Sequence, residues 1–544
     1  MEVEKADVLK IEQKFPSWRE LLKKPVTEKD FKHGFYHYPI LKRDAEYLKR
    51  WVPAYEYATR DWDPLKPDWK LPENWKEIFL REFKDKLEKY RPLKLFMDIC
   101  VRCGACADKC HYYQGTGDPK NMPVARAELL RSIYRRYFTK TGRIFKEWAG
   151  ARELTEDVIK ELYYYFYQCS LCRRCSLFCP YGIDTAEIVW RGREILNSIG
   201  VTHRFTHISI AACARTGNHL GLLPGGMAGA LRSAAEDIYE ITGIEIEVPI
   251  NKKGAEVLFV APSGDYFASP HWFAFMGYIM FFHEIGLDYT WSTYAGEGGN
   301  FGTFQSYELA KLLNQKIYKE AERLGVKWIL GGECGHMWRD KHQFMQTMNY
   351  PLPKTLEDPI NPITGTYFEN AAEGKMVHIA EFVADIIAHK KVKLDKSRND
   401  HWKVTYHDSC NPARAMGLLE EPRYVIKACC NYFYEMPEHT IREKTYCCGS
   451  GGGNLTEEVM ELRMRGGMPR ALALKHVVDK YGVNFMCTIC AQDKAAFPIL
   501  MEYWKLPVEI GGMMELVGNA LVMRGEKERT VDLRGNPLPG RGEE

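Results

Sequence analysis

The chain has 544 residues, of which 45% are hydrophobic and 27% charged, with a formal net charge of +3. Such a length allows about three domains with their own cores, and the near-neutral balance excludes general nucleic-acid binding. No apolar run reaches the roughly 18–20 residues of a membrane span. The longest candidate, Trp272 to Phe282, reads as a buried helix, and the start at Met1 carries no signal-peptide core, so a cytoplasmic protein is expected.

Residues 1–95 are free of cysteine and rich in Trp, Tyr, Pro and Lys. They read as an N-terminal arm with a helical patch from Glu77 to Tyr90, in which Ile78, Phe79, Phe83 and Leu87 share a face. The arm is expected to pack on the next domain or to clamp a partner subunit.

Residues 96–215 carry two cysteine runs, Cys100, Cys103, Cys106, Cys110 and Cys169, Cys172, Cys175, Cys179, the second ending in Pro180. Both read C-x2-C-x2-C-x3-C, the spacing that holds two [4Fe–4S] cubanes. Each cubane is expected to take three cysteines from one run and one from the other. That gives Cys100, Cys103, Cys106 and Cys179 for one, and Cys169, Cys172, Cys175 and Cys110 for its neighbour. Zinc prefers separated CxxC pairs around one tetrahedral ion, and eight cysteines in this order argue against it. The insert between the runs predicts two helices, one opened by Pro123 and one capped by Thr155. The basic run Arg131, Arg135, Arg136, Lys140, Arg143, Lys146 reads as a solvated helix face, or else as a docking face for an acidic partner.

A Gly-rich passage within 216–253 reads as a linker. Beyond it, β-rich strings alternate with helical stretches, an α/β pattern. This half repeats itself: Val257 to Ser263 matches Val404 to Cys410, and Val326 to Cys334 matches Val483 to Cys490. Two related lobes are expected, 254–400 and 401–520, with a C-terminal tail at 521–544. The second lobe holds Cys410, Cys447-Cys448-Gly449 and Cys487-Thr-Ile-Cys490, each group after a predicted strand. Strand ends of an open α/β sheet converge on one crevice, so five thiolates are expected to meet there. Gly449 and Gly451 let the backbone approach, with N–H groups free to donate to sulfur. The first lobe has lost nearly all these cysteines and keeps Glu333, Cys334 and His336 at the place of the lost CxxC.

The pattern C-x(n)-CCG-x(n)-CxxC resembles the cysteine-rich CCG domain of heterodisulfide reductases. Joined to a two-cubane module, it resembles their D-type subunits and, over roughly residues 96–520, the K-subunit family of the Dsr membrane complex of sulfate reducers, an Hdr-like menaquinol-oxidising enzyme. The resemblance implies an α+β multidomain fold: an α-helical ferredoxin module, then a duplicated α/β CCG (HdrB-like) domain whose first copy is degenerate. It implies three cofactors, two [4Fe–4S] cubanes and one non-cubane [4Fe–4S] cluster on Cys410, Cys447, Cys448, Cys487 and Cys490. It also implies a function in sulfate or sulfite respiration, the reduction of a disulfide or trisulfide of a DsrC-like small protein with electrons from menaquinol. The implied partners are a cytochrome b-type (DsrM-like) membrane subunit and the other Dsr subunits, which would hold the chain on the inner face of the cytoplasmic membrane. The degenerate first copy departs from heterodisulfide reductases proper and puts an ordinary coenzyme M–coenzyme B substrate in doubt.

His407 and Asp408, close before Cys410, are candidate proton donors, as are Glu333, Cys334 and His336. Cys334 could also ligate or flank the cluster. Cys429, Cys430 and Cys213 read as packing residues. Two alternatives stay open: a heterodisulfide reductase acting on a small thiol pair, and an electron-transfer subunit that serves a flavoprotein dehydrogenase.

Overall fold

The computed structural model describes residues 71–541, apart from 297–299, 343–350 and 457–458 and the side chains of 204, 205, 207, 208, 300 and 308. Most of the expected arm, residues 1–70, therefore lies outside the described residues.

The first half is helical. α1 (Trp75–Lys89) buries Trp75, Phe79, Phe83 and Leu87, and α2 (Arg91–Asp98) leads into the first cysteine run. This end of the arm packs on the module, with the Phe83 ring edge-on to Phe138 at 5.1 Å. α3 (His111–Thr116) leaves the first run. α4 (Pro123–Phe138) starts on its proline, where a missing N–H costs nothing. α5 (Lys140–Phe145) and α6 (Glu156–Tyr167) begin at Thr139 and Thr155, whose hydroxyls accept from Gly142 N (3.0 Å) and Val158 N (3.3 Å). α7 (Arg174–Leu177) lies inside the second run, and α8 (Thr185–Ser198) follows it. α1, α4, α6 and α8 enclose one apolar core. The basic run is only partly a solvated face. Arg131 is buried, and Arg131 and Arg135 both pair with the fully buried Glu128.

The stretch 216–253 is not a plain linker. α9 (Arg204–Thr216) ends at Gly217, and α10 (Pro224–Thr242) opens on Pro224 and buries Met227, Leu231, Ala234 and Ile238. Those residues recur at i, i+4, i+7 and i+11, and their burial outweighs the helix cost of the glycines.

The second half holds two parallel sheets. The first comprises β1 (Val257–Val260), β2 (Tyr289–Trp291), β3 (Trp328–Gly331) and β4 (Met376–His378), in the order β2-β1-β3-β4. Between them run α11 (His271–Ile285), α12 (Asn300–Thr303), α13 (Tyr307–Leu324) and α14 (Gly335–His342), and α15 (Ile379–Ala388) follows β4. The second sheet orders β5 (Val404–His407), β6 (Phe485–Thr488) and β7 (Glu509–Gly512) as β5-β6-β7. Its helices are α16 (Glu421–Cys429), α17 (Met460–Tyr481), α18 (Ala491–Tyr503) and α19 (Met513–Ala520).

The repetition is visible in the register. Val257 of β1 pairs with Trp328 of β3, and Val404 of β5 with Phe485 of β6, each strand start against strand start. β4 and β7 then add on the same side, so β1-β3-β4 recurs as β5-β6-β7 with β2 extra. One apolar core runs through both lobes, and Trp272 to Phe282 lies in its helix α11. The tail is packed rather than loose: Leu521, Met523, Leu533 and Leu538 are buried, and Arg529 donates to Gly518 O at 2.8 Å.

Candidate functional site

Cys100, Cys103, Cys106 and Cys179 line one small cavity of about 30 Å³ together with Val124, Ala127 and Arg131 of α4. This is the crossed set expected from spacing. Burial pushes the Cys106 thiol up to about 12, with Cys100 and Cys179 among its charged neighbours.

The second set surrounds Arg126. This guanidinium is 1% exposed, and Cys110, Cys169 and Cys175 are its charge neighbours. Its hydrogen bonds go to Tyr165 O, Asn121 Oδ1 and Gln168 O, with Cys110 Sγ at 4.0 Å. Arg193 is also fully buried and donates to the carbonyls of Phe166, Cys169, Phe304 and Gly452. Neither set of hydrogen bonds includes a carboxylate. A buried cation needs an answering charge, and a thiolate-bound iron–sulfur cluster supplies one. The donor set and its surroundings therefore fit [4Fe–4S] groups. Among the described residues, no three His, Cys, Asp or Glu side chains close on a single metal ion.

Cys172, the fourth member of the second set, turns toward the CCG lobe. The thiols of Cys172, Cys410 and Cys448 donate to the Cys447 sulfur. These bonds hold Cys447 well below the usual thiol value and raise its three donors well above it. The Gly-rich loop after Cys448 makes this contact possible. Gly449 has φ +85°, and a Cβ there would lie 2.5 Å from Arg463 O. A Cβ at Gly451 would lie 2.9 Å from Ser170 O and 3.6 Å from Cys447 Sγ. Gly451 thus serves close packing of the loop against the second cysteine run, and Gly449 its close packing against α17.

The remaining expected ligands divide. Cys490 is buried, accepts backbone N–H bonds from Gly335 and Asp493, and has Asp493 and Cys334 as charge neighbours. Asp493 accepts in turn from Cys448, His407 (3.3 Å) and Thr488 Oγ1 (3.2 Å), which ties Cys490 to the Cys447 group. Cys487 is not brought to that group. It sits in β6 with Phe485 and Ile489 in the inter-lobe core, and its charged neighbours are Glu333, Cys430, Glu515 and Lys494. The strand pleat explains this: Thr488 takes the site face, so Cys487 takes the opposite one.

Cys334 precedes α14 as Cys490 precedes α18, and its sulfur accepts from Met337 N at 3.5 Å. It opens onto a cavity of about 150 Å³ between the lobes. His219, His271, His336, Phe301, Phe304 and the loop from Gly453 to Thr456 form much of its wall, and no Lys, Arg, Asp or Glu belongs to the described lining. Burial and the Arg339 guanidinium hold His336 neutral, its pKa lowered to about 4.

Two expected proton donors have structural employment instead. Both Asp408 oxygens are engaged by Arg423 at 2.7 Å, and Arg442 N adds a further bond. Glu333 accepts from Lys494 (3.0 Å) and from Met514 N (2.7 Å), and Lys494 also holds Asp265 at 3.0 Å, all three fully buried. His407 lies against Asp493 and edge-on to Phe497, behind the cysteines. Cys429, Cys430 and Cys213 are buried in packing.

The sequence reading missed His111 and Asp493. His111 is buried, with Nδ1 on Gly466 O at 2.8 Å and Nε2 on Ser170 Oγ at 2.7 Å, and it also hydrogen-bonds Cys447. Its position directly after Cys110 was the available signal. Asp493, three residues after Cys490, had none beyond its place in the first turn of a helix.

Residues 96–183 match the 4Fe-4S dicluster domain family and residues 404–492 the cysteine-rich CCG family. The chain is 62% identical to the Hdr-like menaquinol oxidoreductase iron-sulfur subunit 2 of Archaeoglobus fulgidus, covering 98% of this chain and 99% of that one. It is 62% identical to the corresponding iron-sulfur subunit of Archaeoglobus profundus over 97% and 98% of the two chains. The D-type component of the dihydromethanophenazine:CoB–CoM heterodisulfide reductase of Methanosarcina mazei is 25% identical over 66% of this chain and 78% of its own length. No solved structure matches. Identity of 62% over nearly the whole of both Archaeoglobus chains places this protein in the family of Hdr-like menaquinol oxidoreductase iron–sulfur subunits.

Proposed function

We propose that this chain is the catalytic iron–sulfur subunit of a membrane-linked respiratory complex that reduces a protein disulfide or trisulfide. One observation carries the reading: Cys447 is where the second cubane set, through Cys172, meets the CCG cysteines, beside a cavity that opens at Cys334. Electrons supplied on one side and a sulfur compound admitted on the other would meet there.

Two cubanes, on Cys100, Cys103, Cys106, Cys179 and on Cys110, Cys169, Cys172, Cys175, and a non-cubane cluster on Cys410, Cys447, Cys448 and Cys490 would supply single electrons at a centre able to hold sulfur. The chain's own residues do the rest. Arg126 and Arg193 neutralise negative charge in the interior. Asp493 fixes the Cys448 thiol, and His407 fixes Asp493. His271 Nε2 donates to Ala491 O at 2.8 Å and holds the start of α18 at the cavity wall. His336, neutral and half-buried, faces the cavity with a ring that can exchange a proton there.

The cavity wall bears on the substrate. A small thiol pair with acidic groups would find no lysine or arginine in the described lining, whereas an uncharged sulfur-bearing segment of a DsrC-like protein suits it. By the same reading, menaquinol is the electron source, a cytochrome b-type (DsrM-like) subunit is the membrane partner, and the chain sits on the cytoplasmic face. No helix among the described residues is long and apolar enough to cross a membrane.

The test uses anaerobically purified protein with EPR after a thiol oxidant, followed by turnover of a DsrC-like trisulfide with a reduced donor. Cys448→Ser should remove the unusual cluster signal, leave both cubanes and abolish turnover. Retained turnover in that variant, or co-purification with a flavoprotein dehydrogenase whose electrons the chain passes onward, would reject the assignment.

A further inference from the structure

Three guanidiniums converge on the segment that leads into Cys447. Arg174, inside the second cysteine run, donates to the carbonyls of Lys444 (3.0 Å) and His439 (3.5 Å) and lies over the Tyr446 ring at 3.9 Å. Arg414, in the turn that follows Cys410, donates to the carbonyls of Glu443 (2.6 Å), Thr445 and Cys172. Arg470 of α17 donates to Thr440 O and Thr445 Oγ1, both at 2.6 Å. The main chain at Cys172, the turn after Cys410 and the approach to Cys447 are thus tied to one another by arginine.

These cations have no carboxylate of their own. Arg174 and Arg470 are buried and Arg414 is half-buried. Among the described residues, the partners of all three are main-chain carbonyls, the Thr445 hydroxyl, the Met436 sulfur and aromatic rings. Arg470 Nε is buried without an acceptor. The carboxylates in their field are engaged elsewhere: Asp108 by Lys109 (2.7 Å), Asp408 by Arg423 (2.7 Å) and Asp493 by His407 (3.3 Å). Carbonyl dipoles solvate a guanidinium but leave its net charge standing, and a buried charge is costly unless another answers it. Sulfur is what these cations face. Arg414 is a charge neighbour of Cys172 and Cys410, and Arg174 of Cys172.

We infer that Arg174, Arg414 and Arg470 are positioning residues for the electron step: their positive charge raises the reduction potential of the centre proposed on Cys410, Cys447, Cys448 and Cys490, so that it accepts electrons from the second cubane. The inference rests on the proposed function. In the step one electron leaves the cubane and enters the CCG centre. No bond forms or breaks and no proton moves, and the quinol of that reading is the reductant behind the cubane. The guanidiniums offset the negative charge that arrives, since the potential of an iron–sulfur group follows the charge and hydrogen bonding around it.

Redox titration of the intact, anaerobically purified, iron-loaded chain, followed by EPR, tests this without any substrate. Arg414→Gln removes the charge, whereas Arg414→Lys keeps it with a different hydrogen-bond geometry. At the potential where the wild-type CCG centre is half reduced, Arg414→Gln should show a reduced-to-oxidised ratio about tenfold lower, equivalent to about 59 mV for one electron. Arg414→Lys should return most of that ratio. The cubane proposed on Cys100, Cys103, Cys106 and Cys179 should keep its potential in both. Iron content and melting temperature report whether each variant is intact, and Arg174→Gln, expected to lower the same ratio, decides the matter if Arg414→Gln does not hold iron. An unchanged ratio in the glutamine variants overturns the inference and leaves the proposed function standing. An equal shift in Arg414→Lys and Arg414→Gln does the same, because the loss would then follow the bonds and not the charge. A wild type with no reducible centre on the CCG cysteines overturns both.

Discussion

The Cys172 thiol donates to the Cys447 sulfur, joining a cysteine of the helical module to the CCG lobe. The contact makes the second cysteine set, not the first, the neighbour of the CCG lobe. Cys172→Ala should cost the protein one cubane, read as about four irons fewer per chain, and should stop electrons from reaching the CCG centre. EPR of the dithionite-reduced variant checks this. The CCG signal should stay oxidised under a donor that reduces it in the wild type.

His111 bridges the same boundary. It follows Cys110, holds Ser170 and Gly466, and reaches Cys447. His111→Phe keeps the ring volume and loses the hydrogen bonds. Activity should fall about 10–100-fold, the usual cost of removing such support from a metal centre. A redox titration should show the centre proposed on the CCG cysteines shifted in potential, with the cubane proposed on Cys100, Cys103, Cys106 and Cys179 unmoved. A fall in activity with no shift would mean that His111 serves packing alone.

Lys494 sits between Asp265 and Glu333, fully buried with both. Lys494→Met strands two carboxylates without a counter-charge, an expected loss of about 3–5 kcal/mol. Adding Asp265→Asn and Glu333→Gln should return most of that stability, because the uncompensated charges are then gone. Denaturant unfolding of the single and triple variants measures both steps.

Two histidines of the first lobe, His378 buried and His342 half-buried, predict a pH dependence. His378 caps α15 by accepting from Ala380 N at 3.1 Å, and its pKa is lowered to about 3 by burial and by His342. Burial lowers His342 to about 4. In the unfolded chain both titrate near about 6.5. Between the two values the native protein binds fewer protons than the unfolded one, so stability drops as pH falls below about 6.5, by up to ~1.4 kcal/mol per pH unit for each ring. Melting temperatures from neutral to mildly acidic pH should fall less steeply for His378→Gln than for the wild type. Parallel slopes would contradict a neutral, buried His378.

Much of this was readable from cysteine spacing, because spacing within a run is set by the geometry of what the run holds. The lining of the Cys100–Cys179 cavity and the starts of β1 and β5 follow that reading. Features set by tertiary packing were not readable. Cys487 belongs to a CxxC pair, yet the pleat of β6 turns it to the core. The glycines of 216–253 suggest a loop, yet α10 forms because its apolar stripe has a partner surface in the first lobe. Asp408 stands beside Cys410 in sequence, but Arg423 claims both of its oxygens. His111 gains its place only once α3 packs on α17, a pairing of distant segments that no local pattern announces.

Arg126 and Arg193 deep in the interior bear on how the chain is made. A newly synthesised polypeptide without iron would have to close its module over two positive charges with little to balance them. Insertion of the inorganic groups is therefore coupled to folding of the module, and iron starvation should yield an open, protease-sensitive chain rather than a well-formed but inactive one. The cell's cluster-delivery machinery would then act before the helical module and the second lobe come together.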